Sequence, residues 1–188
     1  MMRSSNTPPA VVWLTGLSGA GKTTIALELC RGLEARGIDV EYLDGDAIRS
    51  VFPATGFTRE ERDAHIRRVA FLASRLERHG VVVVVALVSP FRDSRAFARS
   101  LCRRFIEVHV STALGVCETR DVKGLYARAR RGEIRQFTGI DDAYEPPLEP
   151  ELVIDTAHVP VAEGAQRILD CLEAARPAVA GLAGVVAS

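Results

Sequence analysis

The chain has 188 residues, enough for one domain with a single sizeable core. Its apolar content of 47% excludes a wholly disordered chain, and 24 basic residues balanced by 24 acidic ones exclude a binder that grips nucleic acid by bulk positive charge. The longest apolar run, Val81 to Val88, has eight residues, whereas a membrane span needs ~20.

In chain order, 1–9 reads as a short polar leader, disordered and without an apolar signal core. Ala10 to Thr15 is a β-rich apolar run. The spacing of Ile25, Leu29 and Leu33 predicts a helix over Thr23–Arg36, stopped by Gly37. Ile38–Leu43 is a second strand, ending in Asp44-Gly45-Asp46. Thr58 with Glu61 forms a capping box that opens a long helix, Thr58–His79. Val81–Val88 lacks alternation, as a strand buried on both faces requires.

Next come a helix over Ser94–Cys102, a strand over Phe105–Val110 and a helix over Ala113–Thr119. A basic helix over Lys123–Arg131 precedes a proline-containing loop, Gln136–Pro150. A strand over Leu152–Ile154 and a helix over Val161–Ala175 follow, and the tail from 176 to 188 is rich in Ala, Gly and Val. Strands alternating with helices imply βαβ units around a central, mainly parallel sheet with helices on both faces. Cys30, Cys102, Cys117 and Cys171 show no metal-ligand spacing and read as small buried hydrophobes. Together with the leader, they make a cytoplasmic location the expectation.

Ligands of such a sheet bind at the carboxyl ends of its strands. After the first strand, Gly16-Leu-Ser18-Gly19-Ala20-Gly21-Lys22-Thr23 matches GxxxxGK(S/T) in full, between a predicted strand and a predicted helix. Such a loop wraps phosphate with backbone N–H groups, aided by the helix N-terminus. Lys22 reaches the β/γ-phosphates and the Thr23 hydroxyl can bind Mg²⁺. The chain contains only two lysines, Lys22 and Lys123. The second stands in Asp-Val-Lys-Gly, so the guanine-reading Asn-Lys-x-Asp segment of a GTPase is absent. The short chain instead fits a small-metabolite kinase.

After the second strand, Asp44 and Asp46 can orient a hydroxyl, take its proton or hold Mg²⁺ through water, and Arg49 can clamp an anion. A solvated turn capped by Asp46 is the bland reading of the same residues. The stretch Arg120 to Arg135 is too cationic for an ordinary packed helix and reads as a lid that brings charge to a migrating phosphoryl group. Phe57 and Phe137 stand in loops, where each ring either packs or stacks on a flat base.

These segments together resemble adenylylsulfate kinase, a P-loop kinase of three-layer architecture. The similar stretches are Gly16 to Thr24, Leu43 to Asp46 with Arg49, Gly56-Phe57, Ile66-Arg67-Arg68 and Ser89-Pro90-Phe91-Arg92. Arg120 to Tyr126, Ala129-Arg130, Gly132-Glu133-Ile134, Phe137 to Ile140 and Tyr144-Glu145-x-Pro147 continue the series in family order. The resemblance implies one kinase domain over 10–175. It implies transfer of a phosphoryl group from ATP, with Mg²⁺, to the 3′-hydroxyl of adenosine 5′-phosphosulfate (APS), giving PAPS and ADP.

It implies site roles as well. Gly16, Ser18, Gly19, Ala20, Gly21, Lys22, Thr23 and Thr24 would bind the ATP phosphates, and Arg120 would lie near the ATP adenine. Asp44 would order Mg²⁺ waters, with Asp46 in the base-like role. Arg49 and Arg62 would hold the phosphosulfate, Phe57 and Phe137 would sandwich the acceptor adenine, and Val88 and Ser89 would line the acceptor site. Lys123 would meet both substrates. Ser89 matches a serine that some members phosphorylate. A homodimer is usual in the family, and no residues remain for a fused sulfurylase domain, so a sulfurylase partner would be separate.

The chain departs from the pattern at His65, where Asn is usual and contacts the acceptor; His65 is expected to replace that contact. The stretch 50–55 is a residue shorter. The lid reads Asp-Val-Lys for Asp-Pro-Lys, and Ala86-Leu87-Val88 stands for Ser-Phe-Ile. Besides an APS kinase, these residues leave a kinase of the same fold with another acceptor, or a non-catalytic nucleotide-binding module.

Overall fold

Neighbouring residues of a strand face opposite sides of the sheet, so the unbroken apolar runs must feed two cores at once. The computed structural model describes residues 7–52 and 57–174 and shows this arrangement. Five strands, β1 (Val11–Thr15), β2 (Val40–Asp44), β3 (Val82–Ala86), β4 (Phe105–Val110) and β5 (Leu152–Ile154), form one sheet in the order β2-β3-β1-β4-β5. Every pairing is parallel.

Val12, Leu14, Val82, Val84, Ile106 and Val108 point to one face. There they meet Ile25, Leu29 and Leu33 of α1 (Lys22–Ala35) and Ile168, Leu169 and Leu172 of α7 (Val161–Ala174). Val11, Trp13, Val83 and Val85 point to the other, against Ile66, Val69, Ala70 and Ala73 of α3 (Arg59–Arg78) and Ala98 of α4 (Arg92–Leu101). The expected three-layer sandwich follows. Its connections leave β1 and β3 toward opposite edges of the sheet, which opens a crevice at their carboxyl ends.

Local signals explain most element ends. The capping box of α3 is complete: Glu61 N donates to Thr58 Oγ1 at 3.2 Å and Thr58 N donates to Glu61 Oε2 at 3.0 Å. Three features differ from the sequence reading. A seven-residue helix, α2 (Gly45–Val51), follows β2 at once, and its cap is Asp44, not Asp46. Pairing in the long valine run stops at Ala86, so Leu87 and Val88 continue past the sheet into the crevice. The basic segment splits: Lys123 and Gly124 form a turn between α5 (Leu114–Arg120) and the short α6 (Leu125–Arg130).

Pro8, expected within the leader, is tied down by a 3.1 Å bond from Arg104 to its carbonyl. Residues 1–6, 53–56 and 175–188 lie outside the described residues, and with them most of the leader, most of the shortened 50–55 stretch, Gly56 and the tail. Among the described residues no helix is long and apolar enough to cross a membrane.

Candidate active site

The crevice widens into a cavity of about 910 Å³ walled by the strand ends, α5, α6 and the loop carrying Phe137 and Thr138. Small-molecule sites span ~300–1,000 Å³, so this one lies at the upper end of the range.

The glycine-rich loop is held in place by its carbonyls. Lys22 Nζ donates to Gly16 O at 2.9 Å and to Leu17 O at 2.7 Å, and Tyr126 Oη donates to Ser18 O at 2.9 Å. Thr112 and Thr156 donate their hydroxyls to Ala20 O at 3.0 and 2.8 Å. A Cβ on Gly16 would stand 2.4 Å from the Val110 carbonyl oxygen, so the loop can leave β1 here only as glycine. The α1 N-terminus that follows has no side-chain cap and no acidic residue in its first turn, which leaves its N–H groups to an anion. Burial lowers the Lys22 ammonium to about 8.

Asp44 and Asp46 divide their work. Asp44 Oδ1 accepts from the N–H groups of Asp46 and Ala47, each at 2.9 Å, and Asp44 Oδ2 accepts from the Tyr42 hydroxyl at 3.0 Å. The cap thus fixes Asp44 and leaves the Asp46 carboxylate projecting from the first turn of α2. There it pairs with Lys123 across the cavity mouth. Behind Lys123, the Asp121 carboxylate accepts from the N–H groups of Tyr126 and Ala127 at 2.9 and 3.0 Å, which anchors α6 to the turn. Arg120 closes the opposite rim, donating to Thr156 Oγ1 at 2.7 Å and Thr156 O at 3.0 Å.

The remaining wall is cationic and aromatic. The Arg49 guanidinium lies 5.0 Å from the Phe57 ring centre and that of Arg62 lies 5.9 Å from it. Burial lowers the Arg49 pKa, and the charge of Arg62 lowers it further, so the pair favours an anion. Arg62 lines the cavity and braces it as well. Nε donates to Phe57 O at 2.7 Å, while its two terminal nitrogens bond Thr138 Oγ1 and Gln136 O. In this conformation it is a strut that clamps the Phe137 loop to α3. Phe137 meets the Tyr126 ring edge-on at 5.0 Å, so the two rings expected to sandwich a base are backed by different neighbours.

His65 is only 1% exposed and lines the cavity; neither ring nitrogen makes a hydrogen bond of good geometry, although the Gly45 backbone is near enough to favour its charged form slightly. Burial, reinforced by Arg49, lowers its pKa to about 4, so it is neutral at ordinary pH.

Ser89 departs from expectation. Its hydroxyl accepts from Trp13 Nε1 at 3.0 Å, contacts Leu87 O at 3.4 Å, and belongs to a residue 3% exposed. A candidate phosphoserine needs an accessible hydroxyl, and this one is enclosed and bonded. Among the described residues the non-glycines at positive φ are Ser89, Asp121 and Gln136, and all three lie at the cavity or beside it. Strained backbone collects where a site over-determines it.

Of the residues predicted for the site, Ser18, Gly19, Gly21, Lys22, Thr23, Thr24, Asp44, Asp46, Arg49, Phe57, Arg62, His65, Val88, Ser89, Arg120, Lys123 and Phe137 line this one cavity. Gly16 and Ala20 sit behind it. Sequence reasoning gave no role to Thr112, Tyr126, Thr138 or Thr156. The threonines at 112 and 156 follow the ends of β4 and β5, and that position was the available signal.

The model of the adenylylsulphate kinase family matches residues 8–155. The chain belongs to the adenylylsulfate kinase family. An adenylyl-sulfate kinase of Synechococcus sp. (strain JA-3-3Ab) is 50% identical over 162 residues, covering 86% of this chain and 92% of that protein. One from Halothermothrix orenii is 48% identical over 169 residues, covering 89% and 91%. Among solved structures, the Mycobacterium tuberculosis APS kinase CysC in complex with AMPPNP and APS matches with a TM-score of 0.85 at 40% identity, over 89% of this chain and 99% of that one.

Within an adenylylsulfate kinase, the departures of this chain at His65, Leu87 and Val88 line the cavity. In the lid, Val122 is 83% exposed and Asp121 carries the anchoring bonds, so the Pro-to-Val change leaves the turn intact.

Proposed function

We propose that this chain transfers the γ-phosphoryl group of ATP to the 3′-hydroxyl of APS, yielding PAPS and ADP. The observation that carries the reading is one cavity that faces the phosphate loop with Asp46, paired to the lid residue Lys123, and with an arginine–aromatic wall.

ATP lies with its phosphates on the loop of Gly16, Ser18, Gly19, Ala20, Gly21, Lys22, Thr23 and Thr24, and its adenine lies near Arg120. APS lies across the ends of β2 and β3. Phe57 and Phe137 flank its adenine, Arg49 faces its phosphosulfate, and His65, Val88 and Ser89 complete the wall. Arg62 serves by holding Phe57 and the Phe137 loop together. Neutral at ordinary pH, His65 can give one hydrogen bond and accept another, as the Asn it replaces would.

Mg²⁺ fits the donor set. Among the described residues no group of three or more acidic, His or Cys side chains could hold a metal alone. Magnesium in phosphoryl-transfer sites needs only one or two protein groups, with substrate phosphates and water supplying the rest. Thr23 would ligate it directly and Asp44 through water. Bound there, it neutralises charge on the β- and γ-phosphates.

For transfer, Asp46 orients the 3′-hydroxyl and takes its proton. Lys123 then leaves Asp46 for the phosphoryl group in flight, and Lys22 follows the charge that builds on the β–γ bridge. The lid from Arg120 to Arg135 excludes water, which would otherwise compete for the phosphoryl group.

The protein acts as a cytoplasmic homodimer, with APS supplied by a separate sulfurylase. A same-fold kinase with another acceptor would rest on His65, Leu87 and Val88, whereas the intact Lys22, Thr23, Asp44, Asp46 and Lys123 argue against a non-catalytic module. The test is the product. Incubation with Mg·ATP and APS should give a nucleotide one phosphate heavier than APS, with the phosphate on the 3′ position by NMR. A 2′-phosphate, or ATP hydrolysis without a phosphorylated acceptor, would contradict the reading.

A further inference from the structure

The strained residue Ser89 is held from beneath by side chains that never reach the cavity. Trp13, in the middle of β1 and fully buried, donates its indole N–H to Ser89 Oγ at 3.0 Å. Arg95, on α4 and 2% exposed, donates Nη1 to Ser89 O and Nη2 to Glu145 O, each at 2.6 Å. Its Nε donates to Glu107 Oε1 at 2.7 Å, so Glu107 on β4 aims the guanidinium. Thr15 donates its hydroxyl to Val88 O at 2.7 Å.

Ser89 has φ +39°, a conformation that a non-glycine residue keeps only when its surroundings hold it there. Here the hydroxyl and both carbonyls of Val88 and Ser89 are claimed by β1 and α4. The phosphate loop is pinned by a different set: Lys22, Thr112, Tyr126 and Thr156.

We infer that Trp13 and Arg95 are positioning residues for the acceptor, acting through the left-handed turn at Ser89 and independently of ATP. The inference rests on the reading of the Val88–Ser89 wall as the APS side. Trp13 removes freedom from the Ser89 side chain and Arg95 from its backbone. Between them the wall is preorganised before APS arrives. Ser89 is therefore a keystone of this wall.

The test uses the full chain with Trp13→Phe, Ser89→Ala and the double variant. Trp13→Phe keeps a buried aromatic ring and removes only the indole donor and some volume. Each single change should raise the KM for APS three- to tenfold and leave the KM for ATP within twofold. The double variant should be no worse than the poorer single, because both delete one shared bond. A rise in both KM values together, no rise for APS, or multiplying effects in the double variant would overturn the inference.

A second readout needs no turnover and survives if Trp13→Phe folds poorly. Trp13 is the only tryptophan in the chain, so its emission reports on the surroundings of this indole. In the free protein Ser89→Ala should shift that emission, because the indole N–H loses its partner. Identical spectra for the wild type and Ser89→Ala would also overturn it. If the wild type makes PAPS while these variants behave as wild type, only the positioning role fails; if the wild type does not use APS, both readings fail.

Discussion

At the scale of the residue, the site separates groups that bind from a group that reacts. Lys22→Ala should abolish detectable transfer, because Lys22 is the buried cation held between the loop carbonyls of Gly16 and Leu17, whereas Arg120 touches the loop only from its rim. Asp46→Asn should lower kcat by ~10²–10⁴-fold, the range for losing a positioned base, and leave ATP affinity nearly unchanged; normal turnover would remove Asp46 from the reacting role. Arg49→Ala should raise the APS KM at least tenfold with little change for ATP, and an equal loss for both substrates would mean that Arg49 does not face the acceptor alone. His65 makes a prediction about stability. Its folded pKa of about 4 lies below the ordinary 6.5, so between these values the unfolded chain takes up a proton that the folded chain refuses. Stability should therefore fall as pH drops from 6.5 toward 4. In His65→Asn that part of the decline should vanish when urea midpoints are compared across this pH range, and parallel curves would contradict the buried, neutral state.

At the scale of the element, the caps do different jobs. Thr58 stabilises α3 at a surface end, so Thr58→Ala should cost about 1 kcal/mol in chemical denaturation with unchanged kinetic constants. Asp44 caps α2, and its cap aims Asp46 at the cavity. This helix shows where the sequence was opaque. Gly45–Val51 has seven residues and opens on glycine, too short for a 3.6-residue period to appear. Packing favours glycine there, since a Cβ at Gly45 would stand 2.2 Å from Leu87 Cδ2 and the Leu87 side chain would have to turn aside. The layers were legible for the opposite reason: the valine run of β3 and the stripe of α3 are long, and their burial follows from pattern alone. The lid sits between these cases. Its charge marked it as functional, but its shape depends on Asp121 turning back to cap α6, and nothing in Arg-Asp-Val-Lys announces that bond.

At the scale of the whole molecule, the fold brings together residues that the chain keeps apart. Asp46 and Lys123 are 77 positions distant, and Arg62 and Thr138 are 76. The motifs identified the first pair of segments, because each carries its own chemistry. The second contact was not legible: the resemblance gave Arg62 an anion-holding role, and only the packed structure shows its terminal nitrogens also bonded to the Phe137 loop. For the proposed homodimer, sedimentation should give twice the chain mass of 20.4 kDa, and a monomer at working concentration would contradict it.

The central claim is that this cavity phosphorylates APS. It is tested most directly by initial rates of ADP release from Mg·ATP with APS, with other nucleotide and sugar acceptors, and with none. The account predicts turnover that depends on APS, saturates at low APS concentration and disappears in Lys22→Ala. Silence with APS beside turnover of another acceptor would show that the wall bearing His65, Leu87 and Val88 has changed the substrate, and would contradict the account.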